Sequence, residues 1–227
     1  PGQGSQFVGM GKELYENDED ARKIYNKVKN ITGIDIAKIS FEGPEDILNE
    51  TKYTQLAILT ESLAILEILK DNNITANISA GLSLGEYTAL INGKALTFEE
   101  GIQIVQKRGE YMQNLLPSGE WQMAAIIGLT DNEVENVCKK VKSGFAVPAN
   151  YNSVGQVVIS GEKEAIIEAE EIAKDTDDVK DILACHIINP VKFSKTIQNM
   201  INNGIDTFIE IGPRKNIIRI CKKNTNK

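Results

Sequence analysis

The stretch from residue 78 to residue 87 constrains the fold of this chain more than any other. A short apolar run leads into the turn Gly81-Leu82-Ser83-Leu84-Gly85, and a helical pattern follows the turn. This order of strand, tight turn and helix places the central serine at the apex of the turn. Gly81 and Gly85 have no Cβ, so the chain can turn sharply and the helix can leave close to the strand. The sequence therefore predicts an exposed serine hydroxyl beside the unpaired amides of a helix N-terminus.

The composition is that of an acidic globular protein. The chain has 227 residues, 41% of them hydrophobic, and a formal net charge of −7. The negative charge disfavours a general nucleic-acid role, because phosphate binding needs clustered Lys and Arg. No apolar run approaches the ~20 residues that span a bilayer. Cys138, Cys185 and Cys221 are widely spaced and form no metal-like pattern, so we predict reduced thiols, a cytoplasmic location and no metal site.

The predicted pattern of helices and strands differs between the two ends of the chain and its middle part. Residues 1–118 and 178–227 are predicted to form a large α/β-hydrolase-like domain with a parallel sheet, because helices alternate there with short apolar strands before Ser83 and at 207–211. Its strongest helices are residues 51–70, with a broad apolar face, and residues 97–116, opened by a Thr97–Glu100 capping box. Further helices are predicted at 12–29, 192–203 and 215–223.

Residues 119–177 are predicted to form a small inserted α+β subdomain. Strands at 123–129, 146–150 and 156–160 and helices at 130–142 and 162–174 give the order β-α-β-β-α. That is most of a ferredoxin-like unit, which closes with a fourth strand. The fourth strand is apparently missing, because the pattern after Lys174 indicates a helix to about residue 188.

An activated serine needs a general base and an oxyanion hole. Ser83 supplies the nucleophile, and the amide of Leu84 would supply one oxyanion donor. The glycine-rich loop 2–6 is of the kind that supplies the second backbone amide of an oxyanion hole. His186 is the only histidine, and it is either the base or a structural residue.

Arg108 lies between Ile104 and Met112 on the predicted helix 97–116. Its spacing allows two interpretations. It is either a residue at the rim of the apolar face or a buried cation that awaits an anion. Periodicity alone favours the rim.

Several motifs in order resemble one family. Pro1-Gly2-Gln3-Gly4-Ser5-Gln6, the turn around Ser83 and Gln106-Lys107-Arg108-Gly109 closely resemble malonyl-CoA:acyl carrier protein transacylases. The same resemblance extends to later segments: Ala149-Asn150-Tyr151-Asn152-Ser153, Gln156-Val157-Val158-Ile159-Ser160-Gly161, Asn189-Pro190-Val191 and Glu210-Ile211-Gly212-Pro213. It covers nearly the whole chain.

The resemblance implies a function for each matched residue. Ser83 would take the malonyl group as an ester and pass it to the phosphopantetheine thiol of acyl carrier protein, in fatty acid biosynthesis. The amides of Gln6 and Leu84 would hold the oxyanion. Arg108 would pair with the malonyl carboxylate, which reverses the rim interpretation. The resemblance implies the coenzyme A thioester and acyl carrier protein as partners, with no cofactor or metal of the enzyme's own.

Three positions depart from the family pattern. Leu82 replaces the usual His before the serine, and His186 stands where the family has a Gln that helps to place the catalytic His. The catalytic His segment itself, a Gly-Pro-Phe-His-like run expected between about Lys174 and Asp177, is absent. We therefore hypothesise that the natural chain has further residues between Lys174 and Asp178, and also a strand before Pro1.

Other functions stay open on the sequence. A serine thioesterase would release free acid to water, and a catalytically silent homologue would bind the carrier protein without being acylated. Malonyl and methylmalonyl substrates are not distinguished. The basic residues near the C-terminus form either a docking patch for an acidic carrier or, as we favour, a solvated helix face. These residues are Arg214, Lys215, Arg219, Lys222 and Lys223.

Overall fold

The computed structural model describes residues 1–115, 120–153, 155–174, 181–185 and 193–214. Contacts divide the chain into two compact units. The first unit contains Pro1–Leu115 and Thr207–Ile218, and the second contains Leu116–Asp206 and Arg219–Lys227. The domain limits at 118 and 178 stay a prediction. The contact division differs from them at the second limit, because residues 181–185 pair with residues 123–127, and residues 193–202 pack against residues 146–153, within the second unit.

In the part of the first unit that the structure describes, helices are the only regular secondary structure. Its helices are α1 (Lys12–Asn17), α2 (Glu19–Thr32), α3 (Ile36–Glu42), α4 (Glu45–Leu48), α5 (Thr51–Asp71), α6 (Gly85–Asn92) and α7 (Phe98–Leu115). Helix α5 is central: it packs against α2, α3, α4, α6 and α7. Its leucines Leu56, Leu59 and Leu63 are buried, so the helix and its broad apolar face, predicted for 51–70, are confirmed. The Thr97–Glu100 capping box at the start of α7 is also confirmed.

The predicted helix at 12–29 is two helices. Asp18 interrupts it with an extended backbone, and its side chain accepts a hydrogen bond of 2.8 Å from the amide of Ala21. A short side-chain acceptor before a helix satisfies one of the amides that have no intrahelical partner. Asp18 therefore ends α1 and opens α2.

The parallel sheet predicted for the large domain is not seen among the residues that the structure describes. Residues 74–80, before Ser83, and residues 207–211, both expected as strands, adopt no strand. Their apolar side chains include Ile74, Ile78 and Ile209, which are 45%, 45% and 60% exposed. A strand needs a neighbour to take up its backbone hydrogen bonds. Within the described part of the first unit there is no strand to act as that neighbour.

The second unit is built on one antiparallel sheet. It contains β1 (Trp121–Ile127), α8 (Asp131–Lys140), β2 (Ala146–Ser153), β3 (Gln156–Glu162), α9 (Lys163–Lys174), β4 (Asp181–Cys185) and α10 (Phe193–Asn202). The strand order is β2-β3-β1-β4. The sheet is therefore not in chain order, and β1 lies in the interior between β3 and β4. In register, Ala124 of β1 faces Ile159 of β3.

Alternation along β1 divides its side chains between two clusters. Ala124 and Ile126 belong to the core that α8 and α9 complete with Val134, Val137, Ile166 and Ala169. Met123 and Ala125 belong to a second, smaller cluster with Ala149 and Val158. This is the period of two that a strand imposes, since successive side chains point to opposite faces. The predicted strands and helices of residues 123–174 are confirmed.

The expected absence of the fourth strand is wrong. Residues 181–185, predicted as part of a helix, form β4 and pair antiparallel with β1 along five positions. A five-residue apolar run cannot be assigned to helix or strand by periodicity alone. Here the edge of β1 decides that residues 181–185 form a strand, because its backbone groups pair with theirs by hydrogen bonds. The predicted helix at 215–223 lies outside the described residues.

Candidate active site

Ser83 occupies a left-handed turn immediately before α6. Its φ is 54°, a conformation that non-glycine residues rarely adopt. Such strained residues persist where the surrounding structure fixes them, and they cluster at functional sites. The side chain is half-buried. Ser83 is therefore held at the apex of a turn, as the sequence predicts.

The two glycines of the turn are required by close backbone approach. A Cβ on Gly81 would overlap the carbonyl group of Gly85 and the amide of Glu86. A Cβ on Gly85 would lie 3.0 Å from the carbonyl oxygen of Pro1. Any side chain at position 81 would push the start of α6 away from the turn. The glycines thus set the position of Ser83 relative to the helix.

Amides at the start of α6 surround the serine. Those of Gly85 and Glu86 donate to the carbonyl oxygens of Leu82 and Ser83, over 3.0 and 3.2 Å. In the described part of the chain, the Leu84 amide donates to no backbone acceptor. Unpaired amides at a helix N-terminus favour negative charge. The Leu84 amide is accordingly available to an oxyanion formed next to Ser83.

The N-terminal loop lies against this turn. A Cβ on Gly2 would be 3.2 Å from the carbonyl oxygen of Leu82 and 4.0 Å from the Cβ of Ser83. The side chain of Gln6 stabilises the loop, because its Oε1 accepts from the amide of Gly4 and its Nε2 donates to Asn49, both over 2.8 Å. The loop is thus close enough to contribute a second oxyanion donor. The Gln6 amide in that role stays a prediction.

Arg108 of α7 reaches the serine directly. Its Nη2 donates to the Oγ of Ser83 over 3.1 Å. Its guanidinium carbon lies 5.7 Å from the centre of the Tyr87 ring, within the range of a cation–π contact. Burial lowers the pKa of Arg108, and Tyr87 and Glu86 oppose that shift. The side chain is therefore half-buried beside Ser83 and not extended into water, and its role in binding a carboxylate stays a prediction.

Gln55 is the residue that sequence reasoning missed. It is fully buried on α5, and its Oε1 accepts from Nη1 of Arg108 over 2.5 Å. Its Nε2 lies 3.1 Å from the sulfur of Met112. A polar residue at the head of the apolar stripe of α5 was the available signal. Gln55 fixes one side of the guanidinium, so that the Nη2 group faces Ser83.

No histidine is among the residues that the structure describes. His186 is the only histidine of the sequence and lies outside the described residues.

Among the residues that the structure covers, no three His, Cys, Asp or Glu side chains are grouped so that they could hold a metal ion. In the same residues, no helix has the length and apolar character to cross a membrane.

Comparison with known proteins identifies the family of this chain. The family profile described as acyl transferase domain matches residues 1–182. The malonyl CoA-acyl carrier protein transacylase of Bacillus subtilis is 34% identical over 279 aligned positions, which cover 98% of this chain and 88% of the relative. The alignment is longer than the 227 residues of this chain, so part of the relative has no counterpart here.

Solved structures of transacylases superpose on nearly the whole chain. The malonyl CoA-acyl carrier protein transacylase of Clostridium perfringens matches with a TM-score of 0.88 and 33% identity, over 99% of this chain and 88% of that one. A malonyl-transacylase in complex with a type II polyketide synthase acyl-carrier protein matches with a TM-score of 0.94 and 28% identity, over 100% and 91% of the two chains. The chain therefore belongs to the acyl transferase family, among the malonyl CoA-acyl carrier protein transacylases.

Proposed function

We propose that this protein transfers a malonyl group from coenzyme A to the phosphopantetheine thiol of acyl carrier protein through an ester on Ser83. The observation that carries the proposal is the 3.1 Å contact between Nη2 of Arg108 and Oγ of Ser83. A cation at that distance would meet a carboxylate a few bonds from the acyl carbon. A guanidinium fits such a planar carboxylate through two parallel hydrogen bonds.

The reaction proceeds in two acyl transfers. Ser83 Oγ attacks the thioester carbonyl, the tetrahedral oxyanion is held by the amides of Leu84 and Gln6, and the coenzyme A thiolate leaves. The carrier thiol then attacks the malonyl ester in the same site and releases Ser83. Arg108 holds the malonyl carboxylate in both steps, and Gln55 keeps the guanidinium in place. Preorganised donors of this kind are typically the largest contribution to acyl-transfer catalysis.

A general base must take the Ser83 proton. His186 is the only imidazole in this sequence, and we propose it as a group that supports the site. The base itself would come from the segment that we hypothesise between Lys174 and Asp178. The alignment with the Bacillus subtilis protein, which is longer than this chain, supports that hypothesis. A gene sequence that encodes Lys174 to Asp178 without further codons would contradict it.

Two finer assignments of fold rest on partial support. The order β-α-β-β-α-β with strands arranged β2-β3-β1-β4 supports a ferredoxin-like subdomain. The turn at Ser83 supports a hydrolase-like large domain. The sequence-based limits, 119–177 for the subdomain and 1–118 with 178–227 for the large domain, are proposals, and the pairing of β4 (Asp181–Cys185) with β1 favours a subdomain that extends past 177.

Acyl carrier protein is the proposed partner, and the cytoplasm is the proposed location. The solved complex of a related malonyl-transacylase with its carrier protein supports the partner. Of the basic residues near the C-terminus, Arg214 is described, and its guanidinium lies 5.6 Å from the centre of the Phe7 ring. The remainder of the cluster lies outside the described residues.

Intact-protein mass spectrometry tests the function. Incubation with malonyl-CoA should add the mass of one malonyl group, and Ser83→Ala should abolish the addition and lower turnover by at least about 10³-fold. Ser79→Ala is the matched control, because Ser79 lies four residues earlier on the exposed approach to the turn. A serine thioesterase would instead release free malonate without a carrier thiol. A silent binding protein would never gain mass.

A further inference from the structure

The core of the first unit contains a carboxyl group that the proposed reaction does not use. Glu61 lies in the middle of α5 and is 6% exposed. Its Oε2 is buried and has no hydrogen-bond partner in the described structure. Carboxylates are almost never fully buried unless they are paired. An unpaired one in a core of leucines is therefore a feature that needs a physical account.

A second unpartnered polar atom lies close to it. The hydroxyl of Tyr25, from α2, is also buried without a hydrogen-bond partner, in a side chain that is 1% exposed. Both groups adjoin Gly11: a Cβ there would overlap the Tyr25 hydroxyl and lie 3.5 Å from Cγ of Glu61. The positive φ of 73° at Gly11 keeps that position free of a side chain. The carboxyl and the phenol thus share one small polar region within an apolar core.

No cation in the described structure compensates Glu61. The charged side chains on the helices that pack against α5 are either exposed or already engaged elsewhere. On α2, Arg22 lies over the Tyr15 ring, Lys23 pairs with Glu19 and Asp20, Lys27 lies over the Phe98 ring and Lys29 pairs with Asp35. On α7, Arg108 contacts Gln55 and Ser83. The other charged residues of these helices are exposed: Glu42, Glu45, Asp46, Glu86, Glu99, Glu100, Lys38, Lys107 and Glu110.

We infer that Glu61 is folded into the core as a neutral carboxylic acid and that its ionisation makes the first unit lose stability as the pH rises. Burying an unpaired charge costs far more than burying the neutral acid. Burial raises the pKa of Glu61 from 4.5 to about 7. Burial raises the pKa of Tyr25 as well, and the Glu61 charge raises it further, so the phenol stays protonated throughout this range.

The direction of the pH effect follows from proton linkage. The folded state retains the proton up to a higher pH than the unfolded chain does. The contribution to stability is therefore fully present below pH 4.5 and is lost as the pH rises through about 7. Each pH unit within this window changes the unfolding equilibrium about tenfold. Because Gln55 is on the same helix as Glu61, the ionisation acts on the element that positions Arg108.

Urea unfolding at pH 5 and pH 8 tests the inference on the full chain. The unfolding equilibrium constant of the wild-type protein should rise by about 100-fold more between these values than that of Glu61→Gln, which keeps the shape and cannot ionise. Glu67→Gln changes a partly exposed glutamate of the same helix and should retain the wild-type pH dependence. Equal pH dependence in the wild-type protein and Glu61→Gln would overturn the inference.

A second measurement applies if Glu61→Gln does not fold. The infrared spectrum of the wild-type protein should show a protonated carboxylic acid at pH 6 that disappears by pH 9. The band should persist in Glu67→Gln and in Tyr25→Phe, which removes only the neighbouring hydroxyl. Absence of the band from the wild-type spectrum at pH 6 would show that Glu61 is ionised in the fold.

Discussion

Strand-like sequences have different outcomes in the two units. In the second unit, β1 and β3 pair along seven positions, and Ala124, Ile126 and Ile159 are buried. In the first unit, residues 74–80 and 207–211 are comparably rich in β-branched residues and form no strand. Strand propensity expresses the fit to a paired, half-buried surface rather than an intrinsic backbone preference. The comparison shows that a neighbouring strand, more than composition, decides whether such a run becomes a strand.

The two units also differ in how their important contacts are made. The second unit is held by ladders of backbone hydrogen bonds between β2, β3, β1 and β4. The site of the first unit joins Gln55, Ser83 and Arg108 from three different helices or turns. A change that disturbs the first kind of contact should act on stability, and one that disturbs the second should act on activity.

The glycine pair gives the largest expected contrast. Gly81→Ala would force Cβ against the backbone of Gly85 and displace Ser83, so we expect malonyl transfer to fall at least about 100-fold. Gly161→Ala would force Cβ against the carbonyl oxygen of Phe145, so we expect a loss of about 1–3 kcal/mol of unfolding free energy. Steady-state rates and urea unfolding of both variants measure the contrast. If Gly81→Ala and Gly161→Ala lost similar activity at the same folded fraction, the expected difference between the two units would be contradicted.

Substitution of the guanidinium should have the next largest effect. Arg108→Ala should lower kcat/KM for malonyl-CoA by about 100-fold, because a charge-assisted contact is lost. The rate with acetyl-CoA, which has no carboxylate, should change little. Rates with both donors measure the ratio. An unchanged preference for malonyl over acetyl would contradict the role of Arg108.

Gln55→Met should reduce the preference for malonyl-CoA over acetyl-CoA in the same way as Arg108→Ala, but by a smaller factor. The substitution keeps the volume of the buried side chain and removes the acceptor for Nη1 of Arg108. We expect about a tenfold loss of kcat/KM for malonyl-CoA, mainly through KM, with the acetyl-CoA rate as internal control. A purely structural role would lower both rates in parallel.

The matched capping boxes give the smallest effect. Thr97 caps α7 in the first unit, and Thr130 caps α8 in the second, each with a Glu three residues later. Either Thr→Ala variant should cost about 1 kcal/mol of unfolding free energy. Since α7 carries Arg108, Thr97→Ala should also weaken malonyl selectivity, and Thr130→Ala should not. Rates with malonyl-CoA and acetyl-CoA, measured alongside urea unfolding, decide this.

Sequence reasoning was most accurate where structure is local. The helices at 51–70 and 97–116, the Thr97–Glu100 capping box and the β-α-β-β-α order of the second unit were predicted within a few residues. It was wrong where the outcome depends on distant partners. The run at 181–185 became a strand because β1 offered an edge. The runs at 74–80 and 207–211 formed no strand, because the described part of their unit has no strand to pair with them.

By itself, the sequence determined the turn that presents Ser83. The spacing of Gly81, Ser83 and Gly85 acts within five residues, and close backbone approach admits only glycine at position 81. Only the tertiary structure decided where the Arg108 side chain lies. Its helical position is compatible with both a rim and a buried cation, and the choice depends on Gln55, which is 53 residues away in the chain. Periodicity gives the face of a helix, whereas the partner on the neighbouring helix determines whether a charged side chain faces water or the nucleophile.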